Sequence, residues 1–142
     1  MKRTFLCKKS KSPVSLCKTR IQALLRELAI KRDKVCVLSH YLEAGGCGGY
    51  RKDGELVTQA EHLISRSRSI SFSDMRNIVL LCKNHHLFWK PHNSRLYWEL
   101  IEIIIGKKRW DWLKKVEADT RPYKMNWALE EMALTQELKL LK

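Results

Sequence analysis

The 142-residue chain is the size of one domain, and its 44% apolar content supplies a real core, which excludes wholesale disorder. Its 28 Lys/Arg against 15 Asp/Glu leave a net charge of +13, an excess that points to a polyanionic partner through counterion release. The longest apolar run, around residues 100–105, is interrupted by Glu102 and too short for a membrane span, and Met1-Lys2-Arg3 leads into lysines rather than a secretory apolar stretch. A cytoplasmic protein without membrane contact is expected, its five cysteines serving as thiols or metal ligands.

Residues 1–17 read as a basic, irregular arm containing Cys7 and Cys17, which lack two further ligands nearby and are taken as free thiols. Residues 1–35 carry eleven Lys/Arg against Glu27 and Asp33, so the positive charge is concentrated at this end. A helix is predicted over 18–33, where Ile21, Leu24, Leu25 and Leu28 recur at three- and four-residue spacing. Val35-Cys36-Val37-Leu38 has strand composition and runs into a glycine-rich stretch around Cys47, suited to a tight knuckle. Residues 56–60 form a predicted strand leading into Glu61-His62. A polar loop carrying Arg66, Arg68 and Arg76 follows, then a second strand over 78–81. From Asn84 the pattern is helical, limited or kinked at Pro91.

The last third is helical. Ser94 is the predicted N-cap of a helix over 96–105 ended by Gly106, a second helix spans 109–118, and Asn126 caps a third over 127–141. Leu129, Met132, Ala133, Leu138 and Leu141 are its core candidates, and Trp98, Trp110, Trp112 and Trp127 are read as packing residues. The organisation is therefore an arm (1–17), a lead-in helix (18–33), a small metal-bearing unit (34–95) and a helical extension (96–142).

Two metal systems meet in residues 61–93. Cys82-x-x-His85 offers two soft ligands from one turn, and Cys36 and Cys47 complete a Cys₃His set for structural zinc, with His40 competing with Cys47 as the fourth ligand. Glu61 is an oxygen ligand suited to Mg²⁺ or Mn²⁺, His62 a general base, and His86 faces away from His85 to join Glu61. Asn77 braces the inter-strand loop. Arg66, Arg68, Arg76 and Lys90 are candidate DNA contacts.

Glu61-His62, Asn77 and Cys82-x-x-His85-His86 resemble the HNH endonucleases, and within them the phage recombination endonucleases of the NinG/Rap type. That second likeness extends to Arg32-Asp33, to Phe72 through Ile78, and to Tyr97 through Gly106. The resemblance implies an α+β fold, a ββα-metal finger with a zinc knuckle embedded in a mainly helical domain. It also implies a metal-dependent DNA endonuclease acting on branched or recombination-intermediate phage DNA and leaving 5′-phosphate and 3′-hydroxyl ends. Three departures stand out: Cys36 and Cys47 are eleven apart, His85 replaces a cysteine, and Lys90 stands where many relatives place a histidine. His92 and Asn93 are then the remaining candidates to join Glu61 and His86. The other readings are a zinc-stapled DNA-binding protein without catalysis, or an HNH nuclease of packaging or homing. RNA stays open as substrate, and the apolar C-terminal helices are candidates for a homodimer contact.

Overall fold

The computed structural model describes residues 12–141, so Cys7 and most of the basic arm lie outside the described residues. The fold is α+β and mainly helical, with a two-stranded antiparallel sheet. Helix α1 (Pro13–Asp33) begins earlier than its apolar periodicity. Ser12 Oγ accepts from Ser15 N–H at 3.2 Å and Pro13 opens the first turn, so residues 13–17, expected to be irregular, are helical. Its predicted stripe packs inward, with Ile21, Leu25, Leu28 and Ala29 buried.

Strands β1 (Thr58–His62) and β2 (Ile78–Cys82) pair with Glu61 opposite Val79 and His62 opposite Ile78. Between them lie the short helix α2 (Ser69–Phe72) and a 3₁₀ turn, Met75–Asn77. All five residues of β2 are buried because the strand is covered on both faces. Ile78 and Leu80 face a core built with α1 and Leu134 and Leu138 of α6 (Trp127–Leu140), whereas Val79 and Leu81 face one built with α4 (Ser94–Ile105) and α5 (Lys107–Ala118).

Residues 35–38 do not form the expected strand. They make successive turns, with Ser39 N–H donating to Cys36 O and Tyr41 N–H to Leu38 O, both near 3 Å. The free edge of β2 is already occupied. Asp33 Oδ2 accepts from Leu80 N–H at 2.9 Å, Arg32 and Arg109 both donate to Ile78 O at 2.5 Å, and only Val37 N–H reaches Leu80 O. Side chains thus satisfy an edge that would otherwise invite pairing.

After β2 the chain enters a wide π turn (His85–Trp89) that runs directly into α3 (Lys90–His92). Asn93 precedes α4 without a side-chain cap, so Ser94 is its first residue rather than its cap. Gly106, at φ +78°, separates α4 from α5, and Asn126 Oδ1 caps α6 through Leu129 N–H at 3.1 Å. On α6 the inward face is Leu134 and Leu138. Leu129, Met132, Ala133 and Leu141, expected in the core, are exposed. No helix among the described residues is long and apolar enough to cross a membrane.

Candidate metal centre and acid–base cleft

Cys36, Cys47, Cys82 and His85 converge, their ligand atoms all within 4.8 Å of one another. Cys36 comes from the first turn after α1 and Cys82 from the end of β2. His85 opens the π turn, and Cys47 comes from the glycine loop. That loop is pressed onto the turn after β2. Asn84 N–H donates to Gly48 O at 3.2 Å, and a Cβ on Gly49 (φ +89°) would stand 2.5 Å from that of Lys83, so no other residue fits there.

His85 Nδ1 lies 3.3, 3.2 and 3.8 Å from the sulfurs of Cys36, Cys82 and Cys47. A tetrahedral zinc with ordinary Zn–S and Zn–N bonds places such atoms about 3.5 Å apart. The opposite ring atom, Nε2, donates to Ala44 O at 2.9 Å, which fixes the tautomer and leaves Nδ1 free to ligate. Burial pushes the Cys36 thiol up, and burial together with Cys36 and Cys82 pushes Cys47 up to about 12. Both thiols are thus harder to ionise unless a cation sits among them, and the soft tetrahedral donor set fits zinc. The alternative ligand His40 is exposed and outside the cluster, so Cys47 fills the fourth position. Cys17 lies apart, on α1.

A second site opens on the other side of the adjacent histidines. Glu61, His62, Ser65, Arg66, His86 and Lys90 line a cleft of about 430 Å³. Glu61 is 5% exposed, with His86 Nδ1 2.5 Å from Oε2 and the Lys90 ammonium bonded to Oε1. His86 Nδ1 is otherwise unpartnered, and its contact with Glu61 lacks the alignment of a hydrogen bond. Burial raises the Glu61 carboxyl, but His86 and Lys90 together outweigh it and hold the group below the ordinary carboxylate value.

His62 leaves the same strand in a different direction. Its ring packs on Phe72, centroids 5.1 Å apart, and Nε2 sits 2.9 Å from Phe72 O. That carbonyl accepts only from N–H, so Nε2 carries the proton and Nδ1 has the free lone pair. Burial lowers the His62 pKa, with Arg66 adding to the effect, so the ring is neutral near neutrality. Asn77, fully buried, ties the loop after His62: Oδ1 accepts from Ile64 N–H, and Nδ2 donates to Ile64 O and Ser71 O.

The four basic residues expected to contact DNA separate. Arg66 is exposed at the cleft, and Lys90 is inside it. Arg68 instead caps the C-terminus of α5 through the carbonyls of Val116, Glu117 and Asp119. Arg76 pairs with Asp74 at 2.7 Å and stacks 3.9 Å over Trp112. His92 and Asn93 turn back onto the carbonyls of Phe88 and Trp89, away from Glu61.

Mg²⁺ or Mn²⁺, expected at Glu61 and His86, does not fit this donor set while the Lys90 ammonium occupies Glu61. Hard divalent ions take mostly oxygen ligands, and here one carboxylate and one imidazole are joined by an ammonium on Oε1. At 4 Å and an effective dielectric of 20, a divalent ion and an ammonium repel by about 8 kcal/mol. The Lys90–Glu61 pair was the relationship least visible in the sequence. Its one signal is the four-residue step from His86 to Lys90, which puts both on one helical face. The chain matches no protein-family model, no curated protein and no solved structure.

Proposed function

We propose that the chain is an endonuclease of the HNH type that hydrolyses DNA phosphodiesters, with branched recombination intermediates of a phage as its substrate class. The observation that carries this reading is His62, its Nε2 held on Phe72 O, in one cleft with a buried acid and two cationic side chains, Lys90 and Arg66. A strand–loop–strand–helix unit holds this cleft against a Cys₃His centre. A protein that only binds DNA has no use for a base whose neutral form burial favours.

His62 Nδ1 takes the proton of a water whose oxygen bonds to phosphorus. The phosphorus–O3′ bond breaks, O3′ takes a proton from solvent, and a 5′-phosphate and a 3′-hydroxyl result. Arg66 and Lys90 oppose the charge that gathers on the phosphoryl oxygens. Zinc, held by Cys36, Cys47, Cys82 and His85, supplies rigidity to the knuckle that sets His86 opposite Glu61. Asn77 is a positioning residue that fixes the loop leaving His62.

The test is cleavage of matched linear, nicked and four-way-junction DNAs, with and without added Mg²⁺, by wild type and His62→Ala. The expected result is cleavage, strongest on the junction, that His62→Ala loses while keeping zinc content and DNA affinity. DNA binding with no cleavage by wild type in either buffer overturns the reading in favour of a zinc-stapled binding protein.

A further inference from the structure

We propose that Lys90 is the resident cation of the acid–base cleft: its ammonium stands between Glu61 and a bound phosphodiester where a divalent metal ion would otherwise be required. This rests on the phosphodiester reading above and gives Lys90, there one of two cations facing the phosphate, the place that a metal ion would hold.

The cleft is built around a buried negative charge. Glu61 is 5% exposed, and an uncompensated carboxylate at such a position is strongly disfavoured. Either a bound cation or a side chain must neutralise it, and the chain provides the side chain. Lys90 lies one helical turn beyond His86, so both reach Glu61 from the same face. The ammonium is also held from below, 5.1 Å from the centre of the Tyr97 ring, and Tyr97 is fully buried. It is thus fixed by two independent contacts rather than resting on a mobile surface stem.

Lys90 still faces outward. Its side chain is 29% exposed, and it lines the cleft with His62 and Arg66. An ammonium has three donors. One is used on Glu61, and the others are available to a phosphate oxygen, which lysine binds as a point charge. Glu61 in this arrangement aims the ammonium and does not coordinate a metal. The zinc centre is unaffected, because it draws on other residues across the His85–His86 boundary.

The decisive measurement is Mn²⁺ binding followed by electron paramagnetic resonance, on the full zinc-loaded chain, alongside cleavage of four-way-junction DNA in metal-depleted buffer. Wild type is expected to take up no stoichiometric Mn²⁺ and to cleave at a rate that Mg²⁺ changes less than about twofold. Lys90→Met keeps the aliphatic stem on Tyr97 and is expected to lose about 100-fold of the metal-free rate, the scale of removing one charge-stabilising donor. Lys90→Ala and Lys90→His are expected to gain one Mn²⁺ site that Glu61→Gln abolishes, and Mn²⁺ then restores cleavage. Unchanged zinc content certifies that each variant is folded.

Stoichiometric Mn²⁺ on wild type that Glu61→Gln removes overturns the proposal, as does failure of both Lys90→Ala and Lys90→His to gain a site. Wild-type cleavage that requires Mg²⁺ also overturns it while leaving the nuclease reading intact. A chain inert on DNA in every buffer, with the Mn²⁺ results as expected, overturns the nuclease reading and leaves Lys90 as the cleft's cation.

Discussion

Asn77 returns both hydrogen bonds of one peptide residue: its Oδ1 accepts from Ile64 N–H at 2.6 Å, and its Nδ2 donates to Ile64 O at 3.2 Å. A third bond reaches Ser71 O at 3.0 Å. One buried amide thereby closes the loop that starts two residues after His62. Asn77→Ala strands three buried backbone groups, each costing about 1–3 kcal/mol if water does not reach it. A total loss of about 3–5 kcal/mol is expected in urea unfolding. Asn77→Asp is expected to be nearly as harmful, because a carboxylate cannot donate to Ile64 O or Ser71 O. A loss below 1 kcal/mol for both variants would show that the loop is held by something else.

The Cys₃His centre makes a prediction about which residues do not matter. Zinc is expected at one equivalent per chain. Cys47→Ser is expected to lose most of it and His40→Ala none, since His40 is exposed and outside the cluster. Chelation is expected to lower the melting temperature well beyond the shift of a single surface substitution, because binding energy at a structural zinc site is folding energy. Metal analysis and thermal melts of the two variants check both statements. Equal zinc in Cys47→Ser and wild type would return the fourth ligand to His40 or to solvent.

The pH profile reports on His62. Its pKa is lowered from the ordinary 6.5, chiefly by burial. The neutral ring is the base, so the rising limb of the rate is expected below pH 6.5, and activity falls as pH drops through the depressed value. The stability sign follows from the same shift. Below about pH 6.5 the unfolded ring binds a proton that the folded ring refuses, so stability declines with acidification and His62→Gln removes that part of the slope. Cleavage rates of wild type, and melts of wild type and His62→Gln, across pH 5 to 8 measure both. A rising limb above pH 7 would assign the base to another group.

Much of the site was legible because its residues are adjacent in sequence and placed by strand and helix geometry. Cys82 and His85 lie on one turn, and the step from His85 to His86 alone sends one ring to the sulfurs and the other to Glu61. The Lys90–Glu61 pair was obscure because it spans 29 positions and joins a helix to a strand. The missing strand at residues 35–38 had the right composition. What defeated it was competition for the edge of β2 by Asp33, Arg32 and Arg109, which no local propensity encodes. On α6, apolar residues are spread around the whole helix, so periodicity could not say which face turns inward.

That ambiguity on α6 yields a direct contrast. Leu134 is 5% exposed against α1 and Phe72, while Met132, two positions earlier, is 68% exposed. Leu134→Ala is expected to cost about 2–4 kcal/mol, the range for a large-to-small change in a core. Met132→Ala is expected to stay within about 0.5 kcal/mol, as surface changes do. The reverse order would mean that α6 rolls by half a turn and buries the stripe Leu129, Met132 and Ala133.

The edge of β2 gives the last prediction. Arg109 donates to Ile78 O at 2.5 Å and to Arg76 O at 2.6 Å, and Arg32 shares the Ile78 carbonyl. Burial lowers the Arg109 pKa to about 10, with Arg32 adding to the effect and Asp33 and Asp74 opposing it. Arg109 therefore stays charged at pH 7, at some cost, and that cost is offset by closing a strand edge with no pairing strand. Arg109→Ala alone leaves Arg32 on Ile78 O and is expected to cost about 1–2 kcal/mol. Adding Arg32→Ala orphans the carbonyl, so the double variant is expected to lose more than the sum of the singles. Urea unfolding of the four proteins closes the cycle, and strict additivity would mean that water reaches Ile78 O and the two arginines do not act as substitutes for each other.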